Sequence, residues 1–136
     1  MMHTLLAVVM AAMMTCSFYG EDFHGRETAS GEVYNMHDLT AASPHLPFGT
    51  KLLLRKGDNS VIVTINDRGP FDFRALAQGR LEPHPTRDID LSKAAFAELA
   101  PLSKGIIEVT AREIKSPPPL WVPPPGVDWE EDQQWR

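Results

Sequence analysis

Residues 51–65 read KLLLRKGDNSVIVTI and carry the clearest structural signal in the chain. Two apolar runs, residues 51–55 and 60–65, flank the polar segment 56–59, which contains Gly, Asp and Asn. Short runs of this kind on either side of a Gly- and Asn-containing segment are typical of a β-hairpin with a tight turn. The sequence therefore predicts two antiparallel strands joined at this turn.

The flanking sequence adds further short elements. Apolar and polar residues alternate over 107–112, which predicts a half-buried strand. Residues 91–100 predict a helix with Ser92 as its N-cap and Pro101 as its stop, and residues 38–42 predict a second helical turn. Several strands with one or two short helices indicate a mainly-β fold. A small closed barrel is favoured because it leaves few free strand edges.

Composition limits the class of protein. The chain has 136 residues, enough for one domain, and its 43% hydrophobic and 23% charged residues are ordinary for a globular protein. A net charge of -5 argues against nucleic-acid binding. The single cysteine, Cys16, cannot form an internal disulfide, and the histidines lack metal-ligand spacing. We therefore expect neither a metal nor an organic cofactor.

The two ends of the chain differ from its middle. Residues 1–15 contain an uncharged apolar run that is too short to span a membrane and resembles the core of a secretory signal, which predicts export to the periplasm or cell envelope. A buried N-terminal strand or a misassigned start codon is the alternative. We do not expect a lipid anchor at Cys16, because residues 13–15 match a lipoprotein signal poorly. Residues 116–136 hold six of the twelve prolines and all three tryptophans. They predict a disordered acidic tail, with partner docking as the alternative.

Three carboxylates stand where strands or turns end. Glu32 follows a Ser-Gly turn, Asp67 follows the apolar strand 60–65, and Asp90 precedes the predicted helix. Carboxylates at the strand ends of a small barrel can meet in one groove, where a pair can act as acid and base on sugars. Each also has a structural alternative. Asp67 could stabilise a turn, Asp90 could cap the helix, and Glu32 could be a solvated surface carboxylate.

The order of several short motifs is more specific than any one of them. Together they resemble the rare lipoprotein A family of double-psi β-barrel proteins over residues 16–114. The motifs are CSFYG (16–20), FHGR (23–26), TASGE (28–32), LTAA (39–42), LPFGT (46–50), NDRGPF (66–71) and IDLS (89–92). Members of this family are secreted or lipid-anchored bacterial cell-wall proteins, and some are lytic transglycosylases. They share their fold with plant expansins and barwin-like proteins.

The resemblance implies a six-stranded double-psi β-barrel over residues 16–115 with a groove for a polysaccharide. It implies endolytic, non-hydrolytic cleavage between N-acetylmuramic acid and N-acetylglucosamine in peptidoglycan strands without stem peptides, giving 1,6-anhydro ends. The family's acidic positions fall on Glu32, Asp67 and Asp90. Either aspartate could be the general acid, with Glu32 positioning the sugar or assisting proton transfer. We expect a monomer that binds glycan strands, with possible peripheral association with the envelope.

The resemblance also implies substrate contacts and shows departures from the family. Tyr19, Asn35, Ser43 and Arg68 are the expected sugar-binding residues. Ser43 stands where the family often has histidine, Asn35 stands where many members have aspartate, and the stretch 72–87 is longer than usual. A non-catalytic, expansin-like glycan-binding module that uses the same groove therefore remains the alternative function.

Overall fold

The computed structural model describes residues 11–115. The predictions for residues 1–10 and for the tail 116–136 lie outside the described residues. The strands are β1 (Ala12–Tyr19), β2 (Thr40–Ala42), β3 (Lys51–Lys56), β4 (Asn59–Asp67), β5 (Ile89–Ser92) and β6 (Ile107–Ile114). The helices are α1 (Phe73–Ala77) and α2 (Lys93–Leu99), with two short 3₁₀ turns at Glu21–Phe23 and Leu102–Lys104.

The six strands close into a barrel in the order β1-β5-β2-β4-β3-β6. Two pairs are parallel, β1 with β5 and β2 with β4, and the other four neighbouring pairs are antiparallel. Closure gives every strand of the described chain a hydrogen-bonded neighbour on both sides. The prediction of a mainly-β, six-stranded double-psi barrel is confirmed.

The predicted hairpin is the longest antiparallel pair of the barrel. β3 and β4 pair from Lys51 with Thr64 to Lys56 with Asn59, and Gly57 and Asp58 form the turn between them. Gly57 has φ +59°, a left-handed conformation in which a side chain would be strained. The glycine therefore sets the length of the turn and, through it, the register of the hairpin.

The barrel interior is filled by alternate side chains of the strands and closed by α2. The largest fully buried side chains include Leu54, Ile65, Ile89, Leu91, Tyr34, Phe96 and Leu99. Ser92 is the N-cap of α2, as predicted, and its Oγ accepts a hydrogen bond from the backbone N–H of Ala95. The helix begins at Lys93 rather than at residue 91, because Leu91 pairs with β1 and β2.

The start of the barrel differs from the boundary predicted at Cys16. Residues 12–15 belong to β1 and pair with β6, from Ala12 with Ala111 to Thr15 with Glu108. The Cys16 side chain is completely buried in the core.

The helical turn predicted over residues 38–42 is wrong. Residues 40–42 form β2, which pairs in parallel with β4 and antiparallel with β5. A three-residue strand is too short to show a periodic pattern, and its conformation is set by the two strands beside it. Among residues 11–115, no helix has the length and apolar character needed to cross a membrane.

Candidate active site

Two of the predicted carboxylates stand on either side of one small residue in the barrel wall. Ala42 in β2 pairs with Asp67, the last residue of β4, on one side and with Asp90 in β5 on the other. Neighbouring strands lie about 4.8 Å apart, so the Cα atoms of the two aspartates are separated by roughly 10 Å. The methyl group of Ala42 leaves the space between them open.

Both aspartates line one cavity of about 400 Å³. Two of the predicted sugar-binding residues, Tyr19 and Arg68, line it as well. Its other lining residues are mostly apolar or small: Phe18, Gly20, Phe23, Ala42, Gly69, Pro70, Phe71, Phe73, Leu76 and Arg87. The cavity therefore combines a pair of carboxylates with several aromatic rings, a combination suited to the hydroxyl groups and apolar faces of a sugar.

Asp67 lies where β4 leaves the barrel core. Its Oδ1 accepts hydrogen bonds from the backbone N–H groups of Arg68, at 2.8 Å, and Ala29, at 2.9 Å. Two residues later Gly69, with φ +127°, turns the chain in a conformation that favours glycine. Asp67 therefore holds the turn, as the structural alternative proposed, and also lines the cavity.

Asp90 is held by a hydrogen-bond chain from the neighbouring strand. The Ser17 hydroxyl donates to Asp90 Oδ1, and Arg87 Nη1 donates to Ser17 Oγ at 3.1 Å. Because Ser92, and not Asp90, is the N-cap of α2, the structure removes the alternative that Asp90 caps the helix. Among the described residues, the carboxylate at the cavity wall has the Ser17 hydroxyl as its one hydrogen-bond partner.

Glu32 is not brought into the cavity. Its side chain is exposed on the loop before β2, and Asn66 Nδ2 donates to Glu32 Oε2 at 3.4 Å. The backbone N–H of Thr28 donates to the Glu32 carbonyl at 2.7 Å, which closes this loop beside the end of β4. Glu32 is therefore a neighbour of Asp67 through Asn66, outside the residues that line the cavity.

Tyr19 contributes its ring to the cavity. The ring contacts Phe23 edge-on at 5.9 Å and lies 4.3 Å from the ring of Tyr34, centroid to centroid. Burial raises the pKa of the Tyr19 hydroxyl well above its usual range, and the charge of Asp67 adds to the effect. Tyr19 therefore stays protonated at any physiological pH.

The Arg68 guanidinium is largely occupied by protein contacts. Its Nη1 donates to the carbonyls of Leu46, at 2.8 Å, and Ser43, at 3.3 Å, and its Cζ lies 3.9 Å from the centroid of the Phe48 ring. These contacts fix the loop 43–48 against the end of β4. Arg68 lines the cavity as a fixed positive charge beside Asp67.

The structure gives Asn35 and Ser43 roles in loops and places neither at the cavity. Asn35 Oδ1 accepts the backbone N–H of His37 at 2.9 Å. Ser43 is only 1% exposed, and its Oγ accepts the N–H groups of Leu46, at 3.0 Å, and His45, at 3.3 Å. Short polar side chains often satisfy nearby backbone groups in this way. We therefore leave both out of the proposed substrate contacts.

The sequence reasoning missed the apolar wall of the cavity and Arg87. Phe71, Phe73 and Leu76 lie in or beside the long stretch 72–87, where α1 forms. In the sequence, the signal for this wall is the apolar pair Phe73 and Leu76. These two residues are three positions apart within an unusually long link between two acidic motifs. Within residues 11–115, no three His, Cys, Asp or Glu side chains are grouped as a metal site.

The barrel matches a known protein family. The sequence profile of the family described as "Lytic transglycolase" matches residues 11–111. The chain belongs to this family. The match begins within one residue of β1 and ends inside β6, so the family assignment covers the barrel except for the last three residues of β6.

Curated relatives of this lytic transglycolase barrel agree with the assignment. The chain is 45% identical over 96 residues to the probable endolytic peptidoglycan transglycosylase RlpA of Treponema pallidum, covering 69% of this chain and 26% of that protein. It is 40% identical over 100 residues to the endolytic peptidoglycan transglycosylase RlpA of Neisseria meningitidis, covering 72% of this chain and 37% of that protein. The chain thus spans between a quarter and two fifths of the length of these relatives.

Solved structures support the fold. The Streptomyces papain inhibitor superposes with a TM-score of 0.58 at 21% identity, covering 78% of this chain and 96% of that chain. An expansin from Clavibacter michiganensis gives a TM-score of 0.56 at 20% identity, covering 81% of this chain and 53% of that chain. At these identities the likeness concerns the barrel architecture alone.

Proposed function

We propose that this lytic transglycolase barrel is an endolytic peptidoglycan transglycosylase. It would cleave the bond between N-acetylmuramic acid and N-acetylglucosamine in strands without stem peptides. The observation that carries the proposal is the placement of Asp67 and Asp90 on either side of Ala42, both lining one cavity. The names of the RlpA relatives support the same activity.

The reaction needs one proton donor and one proton acceptor. A carboxylic acid protonates the glycosidic oxygen as the bond from the muramoyl C1 carbon to that oxygen breaks. A carboxylate takes the proton of the muramoyl C6 hydroxyl as its oxygen bonds to C1. The products are a free N-acetylglucosamine hydroxyl and a 1,6-anhydro end. No water is consumed, so two carboxyl groups suffice.

The hydrogen-bond partners of the two aspartates indicate which one is the acid and which one is the base. Asp67 Oδ1 accepts two backbone N–H groups, which can only donate, so this carboxyl is held as an acceptor, as a base requires. The partner of Asp90 is the Ser17 hydroxyl, which can donate or accept and therefore tolerates Asp90 with or without its proton. We assign Asp90 as the acid and Asp67 as the base.

Tyr19, Arg68 and Glu32 have supporting roles in this proposal. The Tyr19 ring offers an apolar face to a sugar, and Arg68 supplies a fixed positive charge beside Asp67. Glu32 contacts the Asn66 amide on the outer side of the same strand end, where it would help to position the strand rather than transfer a proton. We rank it below the two aspartates for that reason.

The substrate sets where the protein would work. Peptidoglycan lies outside the cytoplasmic membrane, so the proposal includes export to the periplasm or cell envelope. We further propose that the barrel acts as a monomer, with any envelope association being peripheral. The pairing of every described strand on both sides supports a monomer, because no strand edge is left for another copy.

The test is mass spectrometry of the products formed from peptide-free glycan strands by the full chain. We expect fragments with 1,6-anhydro ends from the wild type and none from Asp67→Asn or Asp90→Asn. Fragments with reducing muramic acid ends would show hydrolysis instead. Retention of glycan without any cleavage would replace the proposal with an expansin-like binding module.

A further inference from the structure

The most prominent apolar surface beside the site is formed by the stretch 72–83, which we name the insert. It leaves the barrel after Phe71 and contains α1. Phe73 is 74% exposed and Leu76 49% exposed, yet both line the cavity that holds the two aspartates. Two large apolar side chains that face an open cavity are costly in water unless something covers them.

The two ends of the insert are joined to each other at its neck, where it leaves the barrel. The backbone N–H of Asp72 donates to the Glu82 carbonyl at 2.9 Å, and the N–H of His84 donates to the Pro70 carbonyl at 3.0 Å. Phe71 and Pro83 form an isolated β-bridge at the same place. These bonds hold the two ends of the insert together, so Phe73 has a fixed position relative to Gly69 and the end of β4.

The insert is also held internally. Ala75 is 1% exposed, and its carbonyl accepts the N–H of Arg80 at 2.9 Å. Asp72 Oδ1 accepts the N–H of Arg74 at 2.9 Å, which caps the first turn of α1. A short helix with these contacts is a preorganised platform, and binding to it costs less ordering entropy than binding to a free loop.

We propose that Phe73 and Leu76 of the insert form a sugar-binding subsite, in which Phe73 stacks on the apolar face of a glycan ring next to the bond that is cut. The inference rests on the proposed function, because it takes the same glycan strand as the ligand. The occupant follows from continuity: Phe73, Leu76 and the two aspartates line a single cavity, so a strand that reaches the carboxylates passes the apolar wall. A sugar ring presents C–H groups on its faces and hydroxyls at its edge, which matches an aromatic ring beside carboxylates.

The insert also contains its own control residue. Leu81 is 68% exposed, is apolar, and belongs to the same segment, but it does not line the cavity. Substituting Leu81 therefore removes an exposed apolar side chain of the insert and leaves the residues that line the cavity unchanged. Phe73→Trp keeps a flat aromatic ring at the subsite and serves as the conservative variant.

The experiment measures the affinity of the full chain for peptide-free glycan strands by calorimetry, and KM and kcat for their cleavage. To separate binding from turnover, the affinity is measured with Asp67→Asn as the background. We expect Phe73→Ala to weaken binding and raise KM by about 5- to 10-fold with kcat nearly unchanged. Leu81→Ala should behave like the parent protein, and Phe73→Trp should recover most of the affinity that Phe73→Ala loses.

Each outcome decides between the inference and the proposed function. Equal affinity and KM for Phe73→Ala and the parent would overturn the inference while the activity stands. Binding without cleavage, weakened by Phe73→Ala, would overturn the activity and keep the subsite. A wild type that neither binds nor cleaves glycan would overturn both. An equal loss in Leu81→Ala, or self-association that Phe73→Ala abolishes without changing glycan affinity, would also overturn the subsite.

Discussion

The two walls of the cavity are built in different ways. The polar wall carries Asp67 and Asp90 on adjacent parts of the closed barrel, where backbone pairing fixes them relative to Ala42. The apolar wall carries Phe73 and Leu76 on the insert, a segment outside the barrel strands whose two ends are bonded to each other at its neck. The difference suggests that reactive groups stand on the rigid sheet, whereas recognition can be adjusted in an added segment without altering the barrel.

The largest expected effect belongs to the polar wall. Asp90→Asn removes the proposed general acid, and we expect kcat to fall by about 10³-fold with glycan affinity largely kept. Asp88→Asn is the matched control, because Asp88 is exposed and its Oδ2 accepts the backbone N–H of Thr15. Steady-state kinetics on peptide-free strands provide the measurement. Equal losses in the two variants would show that the strand end, and not the carboxyl, matters.

The apolar wall is tested as a whole by replacing residues 73–81 with two glycines. The neck at Asp72 and Glu82 stays in place, so the barrel should fold. We expect KM to rise by roughly 30-fold, since both Phe73 and Leu76 are lost, while kcat changes by less than about threefold. A fall in kcat as large as that of Asp90→Asn would remove the distinction between the two walls.

Substitution of Arg87 tests how the Asp90 carboxyl is positioned in the polar wall. Arg87→Gln breaks the donor to Ser17, and through it the position of Asp90. We expect kcat to fall by about 10-fold with little change in KM, because the Asp90 carboxyl is then held less firmly. Arg74→Gln, an exposed substitution on α1, should leave kcat and KM unchanged. An unchanged kcat in Arg87→Gln would mean that Ser17 alone positions the carboxyl.

Glu32 is expected to have the smallest effect on activity. Its side chain is exposed and, within residues 11–115, is hydrogen-bonded only to the Asn66 amide, so Glu32→Gln should change kcat/KM by less than about threefold. Glu27→Gln is the control on the same loop. A loss comparable with that of Asp90→Asn would identify Glu32 as a proton-transfer group that enters the cavity when the substrate binds.

The buried thiol of Cys16 provides a test of the barrel core, which supports both walls of the cavity. Burial raises the pKa of its thiol to about 12, and the charges of Asp88 and Asp90 add to the effect. Above about pH 9 the unfolded thiol ionises while the folded one does not. The free energy of unfolding should therefore be unaffected at neutral pH. Between about pH 9 and the folded pKa of about 12 it should fall by up to about 1.4 kcal/mol per pH unit.

Urea denaturation between pH 7 and pH 11 would measure this slope, with Cys16→Ala as the variant that lacks the thiol. The difference in unfolding free energy between the two proteins should be constant near neutral pH and change above about pH 9, because only the wild type then loses stability through its thiol. Parallel curves would contradict the placement of Cys16 in the core.

Much of the barrel could be predicted from sequence because its signals are local. The hairpin around Gly57, the N-cap at Ser92 and the alternation over 107–112 depend on residues close together in the chain, and all three are confirmed. β2 could not be predicted in this way. Its three residues take their conformation from β4 and β5, which are distant in sequence.

The candidate site was predictable only in part, for the same reason. A carboxylate at the end of an apolar strand is visible in sequence, which is why Asp67 was selected. The family resemblance could not separate residues that contact a ligand from those that hold a loop, and Ser43 is buried in a backbone turn. The role of Arg87 depends on Ser17, 70 residues away, and this contact leaves no local pattern.

The central claim is that two carboxyl groups in this cavity cut a glycan strand without using water. The most direct test is cleavage of peptide-free strands by the full chain in oxygen-18-labelled water, followed by mass spectrometry of the new ends. The account predicts 1,6-anhydro ends that carry no label and are lighter than hydrolysed ends by the mass of one water molecule. Labelled reducing ends in the wild type, absent from Asp90→Asn, would contradict it.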